Sequence, residues 1–168
     1  MAGSRLEWFN GLPADVAERE LLACNAAPRF AQEVAAGRPY PTAAALVDTA
    51  AAVAGSLRWP DVQIALAAHP RIGEPVAGDS AEAAASRREQ ASVGAATDEV
   101  RRALAEGNRA YEDRFGHAFL IRAAGRGPEE MLAELRRRLG QEPAAEQAET
   151  GRQLAEITRL RVERLVAE

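Results

Sequence analysis

Apolar residues recur three and four positions apart along this chain, in short runs bracketed by proline, glycine or a small hydroxyl residue. That spacing gathers apolar side chains on one face of a helix. Pro13 begins a run carrying Val16, Leu21 and Leu22, which predicts a helix to about Ala23. Pro28 opens a second run that stops at Gly37, since glycine accepts the left-handed cap conformation. Arg38-Pro39-Tyr40-Pro41 predicts an extended connector, and Thr42 then caps an alanine-rich helix through about Gly55. Pro60 opens the next helix, with Val62, Ile64, Ala65 and Leu66 as its apolar content. Pro70 disfavours helical geometry in the residue before it, so this helix ends near His69. Arg71 to Gly78 reads as a loop broken by Gly73, Pro75 and Gly78.

The second half continues in the same way. Ser80 caps a helix carrying Ser86, Glu89 and Gln90, and Thr97 caps a long one with Val100, Leu104 and Tyr111 on a shared face. Phe115 to Ile121 is the one stretch that reads as extended, and Gly125-Arg126-Gly127 closes it. Pro128 starts a helix ending at Gly140, and a last helix runs from about Ala144 to the C-terminus. There is no internal repeat and no linker. The expectation is an all-α fold, a single compact domain of about eight helices over residues 1–168, with connections of ordinary length.

Composition sharpens this picture. Aromatic residues make up 5% of the chain, while alanine, leucine, arginine and glutamate dominate, all good helix formers. The formal charge of −4 argues against a general nucleic-acid binder, which carries a basic face. The basic clusters Arg136-Arg137-Arg138 and Arg159 to Arg164 have acidic residues interleaved nearby and read mainly as solvated helix faces. Cys24 is the only cysteine, so no intrachain disulfide or CxxC zinc knuckle can form, and it reads as a small core residue. No apolar run reaches the roughly 18–20 residues that span a bilayer, and none resembles a signal peptide, so the expectation is a cytoplasmic protein without a membrane partner. Trp8, Trp59, Phe30 and Tyr40 read as core or interface residues.

The candidate chemistry is an acid–base set without a metal-ligand pattern. His69 stands next to Pro70 at a predicted helix C-terminus, where the helix dipole favours imidazolium. The only other histidine is His117, and no histidine pair has the spacing of a metal site. No P-loop or HExxH is present, and Gly125-Arg126-Gly127 lacks the context of a dinucleotide fingerprint. Ser86, Glu89 and Gln90 share a helix face. They read either as an exposed polar stripe or as a substrate-facing row of hydroxyl, carboxylate and amide; Arg87 and Arg88 point to solvent. On the last helix, Leu154, Ile157, Leu160 and Leu165 fall in one arc that also holds Arg161 and Arg164. A cation on an apolar face either snorkels out or pairs internally, or it faces a pocket and holds an anion. Periodicity does not choose between these readings, nor between the two arginines.

Taken together, the segments resemble the 2-oxo-4-hydroxy-4-carboxy-5-ureidoimidazoline (OHCU) decarboxylase family. The matching pieces are Phe9-Asn10, Arg38-Pro39-Tyr40, His69-Pro70-Arg71-Ile72-Gly73, the Ser-x-x-Glu-Gln row at 86–90, Asn108-x-x-Tyr111-x-x-Arg114-Phe115-Gly116-His117-x-Phe119-Leu120-Ile121, and Ile157-x-x-x-Arg161-Val162. They come in the family's order and cover nearly the whole chain. His117 departs from the aromatic residue of many relatives, and Val162 from the usual leucine.

The resemblance implies a helical, cofactor-free and metal-free enzyme that forms a homodimer. Its small-molecule substrate would be OHCU and its product (S)-allantoin, in metabolic sequence with urate oxidase and hydroxyisourate hydrolase. By resemblance, His69 is the catalytic acid–base residue and Glu89 assists proton transfer. Pro70, Ser86 and Gln90 would hold the substrate, Phe119, Leu120, Ile121, Arg122 and Ala123 would supply backbone contacts, and Arg161 rather than Arg164 would bind the substrate's anionic or carbonyl edge. Which of His69 and Glu89 delivers the final proton stays open. By composition alone a helical interaction module fits as well, and so does a related enzyme acting on another ureido-ring compound.

Overall fold

The computed structural model describes residues 3–168. Among these the fold is all-helical, with α1 (Arg5–Gly11), α2 (Ala14–Leu22), α3 (Pro28–Ala36), α4 (Ala43–Gly55), α5 (Trp59–Ala67), α6 (Ala81–Glu89), α7 (Asp98–Phe115), α8 (Pro128–Leu139) and α9 (Pro143–Leu165). A 3-10 turn, Ala91–Ala95, follows α6. The capping residues read from the sequence work as such: the hydroxyls of Thr42, Ser80 and Thr97 accept from the amides of Ala45, Ala83 and Val100. Helix α1 was not expected. Ser4 and Glu7 form a reciprocal capping box around its first turn, Glu7 N donating to Ser4 Oγ at 3.1 Å and Ser4 N to Glu7 Oε2 at 2.8 Å. The predicted extended run from Phe115 also starts later. Helix α7 includes Phe115, and Gly116 ends it in the left-handed conformation at φ 77°.

The contacts gather into two compact units: one of residues up to Ala65 with Leu154–Glu168, the other of Leu66–Gln153. In the first, α2 packs on α3 and α3 on α4. Phe9, Leu21, Phe30, Val34, Leu46 and Leu154 are fully buried there. The connector after α3 is pinned by side chains: Asn10 Nδ2 donates to the Tyr40 carbonyl and Tyr40 N to Asn10 Oδ1, each at 2.9 Å. Buried Asn25 donates to Thr158 Oγ1 at 3.1 Å and accepts from the Ala27 amide at 3.0 Å, so no polar group of its side chain is left without a partner.

In the second unit α7 packs along α8. Ile72, Leu104, Tyr111, Phe119, Ile121, Met131 and Leu135 form its core. One arginine of the cluster Arg136-Arg137-Arg138 departs from the expected solvated face: Arg136 and Arg137 are exposed, but Arg138 is fully buried. It sits on the face of Leu135 and Met131, one and two turns before it, so the ridge that buries those residues buries it too.

Candidate active site

Helix α5 ends at Ala67, and the His69 amide closes its last turn by donating to the Leu66 carbonyl at 3.0 Å. Pro70 then turns the chain away. The segment that follows is fixed from three directions. Asn108, buried in the middle of α7, donates its Nδ2 to the Ile72 carbonyl at 2.9 Å. The Gly73 amide donates to Gln90 Oε1 at 3.1 Å. Arg71 forms a forked ion pair with Glu112 of α7. Gly73 has φ +88°, and a Cβ there would meet only ordinary contacts at 3.8 Å or more. The glycine is therefore required by backbone conformation rather than by space.

Helix α6 brings Ser86 and Gln90 of the row read from the sequence to this segment. Ser80 caps its first turn, and Ser86 is 2% exposed. His69, Pro70 and Ser86 line one cavity of about 270 Å3 together with Glu82. Glu82 was not singled out in the sequence, although it stands four residues before Ser86 and so on the same helix face. Nε2 of His69 and Oε1 of Glu82 are both buried atoms, and an imidazole, a hydroxyl and a carboxylate thus share one partly enclosed space.

The other expected residues stand in different surroundings. Gln90 ends α6 and lines an adjoining hollow of about 280 Å3 with Gly73, Arg87, Val93 and Arg101; Val76 lines both spaces. Glu89 is half-buried and lines neither. Phe119, Leu120, Ile121 and Ala123 are buried, Phe119 and Ile121 within the core of the second unit, while Arg122 is half-buried. With those side chains committed to packing, the segment has backbone rather than side chains to present. His117 takes its place in an aromatic cluster, edge-on to the Tyr111 ring at 5.4 Å, with Nδ1 at 3.1 Å from the Ala118 carbonyl. In the first unit Arg161 is 4% exposed and donates to the Ala23 carbonyl at 3.5 Å, whereas Arg164 is exposed. Burial thus separates the two arginines that periodicity left equal.

Burial of another kind shapes Tyr111. Loss of solvent, then a hydrogen bond to Glu146, holds its phenol well above the ordinary range. Among the described residues no group of three or more histidine, cysteine, aspartate or glutamate side chains is placed to hold a metal ion. Among them, too, no helix is long and apolar enough to cross a membrane.

Comparison with known proteins agrees with the motif reading. The family model described as OHCU decarboxylase matches residues 10–163. The chain is 29% identical over 157 residues to the uric acid degradation bifunctional protein TTL of Arabidopsis thaliana, covering 92% of this chain and 48% of that protein. It therefore spans about half the length of that curated relative. Its fold superposes on a crystal structure of OHCU decarboxylase in the presence of (S)-allantoin with a TM-score of 0.76, at 28% identity, over 89% of this chain and 98% of the other. A crystal structure of (S)-allantoin synthase shares the fold at a TM-score of 0.72 and 16% identity, over 98% of this chain and 54% of that one. With the family match running nearly end to end over the His69 turn and the Ser86 helix face, the chain belongs to the OHCU decarboxylase family, the decarboxylases of urate degradation.

Proposed function

We propose that this chain converts OHCU to (S)-allantoin and CO2 without a cofactor. The observation that carries the reading is that His69, Pro70 and Ser86 line one partly enclosed cavity in a chain of this family. The substrate supplies its own electron sink. Its carboxylate sits on a ring carbon next to an endocyclic C=N. When the bond to CO2 breaks, the electron pair moves into that imine and on to its nitrogen. The nitrogen takes up a proton and the carbon that lost CO2 is left as an enol. Its hydroxyl gives up its proton to become the ring carbonyl, and a proton delivered to one face of the neighbouring former imine carbon gives a single hand of allantoin. A cofactor such as pyridoxal phosphate exists to supply a sink of that kind, so this reaction proceeds on groups the chain itself carries.

In this reading His69 is the acid–base residue, its ordinary range lying near neutral pH, and Glu89 assists the transfer. Ser86, Gln90 and Pro70 hold the ring and its carboxylate. The backbone of Phe119 to Ala123 supplies further hydrogen bonds, and Arg161 takes the anionic or carbonyl edge, for which a guanidinium fork is suited. Such a placed acid–base group typically contributes about 100- to 10,000-fold in rate. We further infer one family domain, a cytoplasmic homodimer, and metabolic coupling to urate oxidase and hydroxyisourate hydrolase, all from resemblance to the family.

The test is circular dichroism of allantoin formed from urate. Urate oxidase and hydroxyisourate hydrolase generate OHCU in the cuvette, with and without this protein. A rapid (S)-allantoin signal that requires the protein supports the reading. Equal, racemic decay in both cuvettes rejects it for this substrate.

A further inference from the structure

The segment from Phe119 to Ala123 lies in no helix, yet four of its five side chains are buried. What holds it is a charged cluster in the second unit. Arg138 and Glu146 are both 0% exposed and form an ion pair, Arg138 Nε donating to Glu146 Oε1 at 2.7 Å. Glu146 also accepts from Tyr111 Oη at 2.5 Å and from Gln141 Nε2 at 2.7 Å. A buried ion pair is a poor route to stability, because an apolar pair of the same volume fills the space without the cost of removing two charges from water. What this pair adds is direction. Arg138 Nη1 donates to the Leu120 carbonyl at 2.7 Å, and the guanidinium lies 4.6 Å from the centre of the Phe119 ring. The Tyr111 ring meets the same Phe119 edge-on at 5.3 Å. At the C-terminal end of this unit, Gln153 Oε1 accepts from the Arg122 amide at 2.9 Å.

We propose that Arg138 and Gln153 are positioning residues for the substrate-facing segment, fixing Leu120 and Arg122 from one side so that the remaining backbone groups of Phe119 to Ala123 meet OHCU in one geometry. The inference rests on the reading of that segment as part of the substrate site. Glu146 and Tyr111 act through Arg138, orienting its fork. None of the four touches substrate.

Removing Arg138 alone strands the Glu146 carboxylate in the core, which is strongly destabilising in itself. The informative variant is therefore R138M combined with E146Q, which removes both charges and leaves Tyr111 an acceptor. Three quantities are read on the full-length protein: the melting temperature, amide hydrogen exchange over residues 119–123, and KM and kcat for OHCU generated from urate. The expected result is a folded protein whose segment exchanges about tenfold faster and whose KM rises about tenfold, with kcat changed less, the size of one lost hydrogen bond to a buried carbonyl. A folded double variant with wild-type exchange and wild-type KM overturns the proposal. If the double variant does not fold, Q153M, which touches no ionised group, carries the test: a KM raised about threefold or more supports positioning, and an unchanged KM overturns it. Absence of decarboxylation by the unmodified protein would sink the proposed activity, while the exchange measurement would still decide whether these side chains hold the segment.

Discussion

Asn108 donates its side-chain amide to the Ile72 carbonyl at 2.9 Å, tying the buried middle of α7 to the turn that begins at His69. Leucine at position 108 matches the volume and removes the donor, leaving the Ile72 carbonyl buried without it. The expected cost is about 1–3 kcal/mol of stability, the price of stranding a buried acceptor. Turnover should fall by about tenfold as the His69 turn loosens. Thermal melting and steady-state rates of N108L check both parts, and a rate unchanged alongside lowered stability would confine Asn108 to folding.

His69→Asn keeps a polar side chain at the end of α5 and removes the titratable nitrogen. Stereoselective allantoin formation should drop by at least about 100-fold while the helical circular dichroism spectrum stays that of the wild type. A wild-type rate in this variant would remove His69 from the chemistry.

Two carboxylates compete for the role of proton-transfer assistant. Glu89 is the one the family motif indicates, but Glu82 lines the His69 cavity. E89Q is expected to retain binding and lose rate by about tenfold or more, with E82Q losing less. The reverse order in kcat, measured side by side at saturating substrate, would transfer the role to Glu82.

On the exposed rim of α8, the Glu134 carboxyl is held below its ordinary range of 4.5 by its hydrogen bond to Arg137. At Glu149, burial pushes upward, but hydrogen bonds from Arg137 and Gln141 leave the carboxyl lowered overall. A carboxyl lowered in the folded state binds its proton more readily when unfolded. The stability it contributes is therefore complete above the unfolded value and lost as pH falls from about 4.5 through the lower folded value. Arg137 is half-exposed, so solvent screening keeps the effect of its pairs at about 1 kcal/mol or less. Urea unfolding of wild type and E134Q between pH 6 and 3 should show the difference between them shrinking in acid.

Local rules carried the reading of the sequence far. The hydroxyl caps, the helices opened by Pro28 and Pro128 and the proline after His69 each act through the nearest few residues, and the structure uses them as read. Pro13, by contrast, stands just before α2, and Gly37 ends α3 at φ −75° rather than in the left-handed conformation. Helix α1 escaped because, at seven residues, it carries too little apolar periodicity; its one signal was Ser4 and Glu7 in capping-box spacing. Arg138 escaped because three successive arginines look alike in composition, although its spacing from Met131 and Leu135 was a visible sign of burial. Asn108 and Glu82 were likewise within reach of the same spacing rule, four residues after Leu104 and four before Ser86. Nothing in the local sequence shows that the Leu120 carbonyl is met by a guanidinium, since that partner lies 18 residues away.

The phenol of Tyr111 has a bearing on how kinetics of this protein are interpreted. Because burial and its bond to Glu146 hold it well above the ordinary range, it keeps its proton at any pH the enzyme would meet. It is thus a silent donor: it hands a hydrogen bond to the scaffold and never a proton to the reaction. An alkaline limb in a pH–rate profile would report side chains other than this tyrosine, and a Tyr111→Phe protein should shift the height of that profile and leave its inflection points in place.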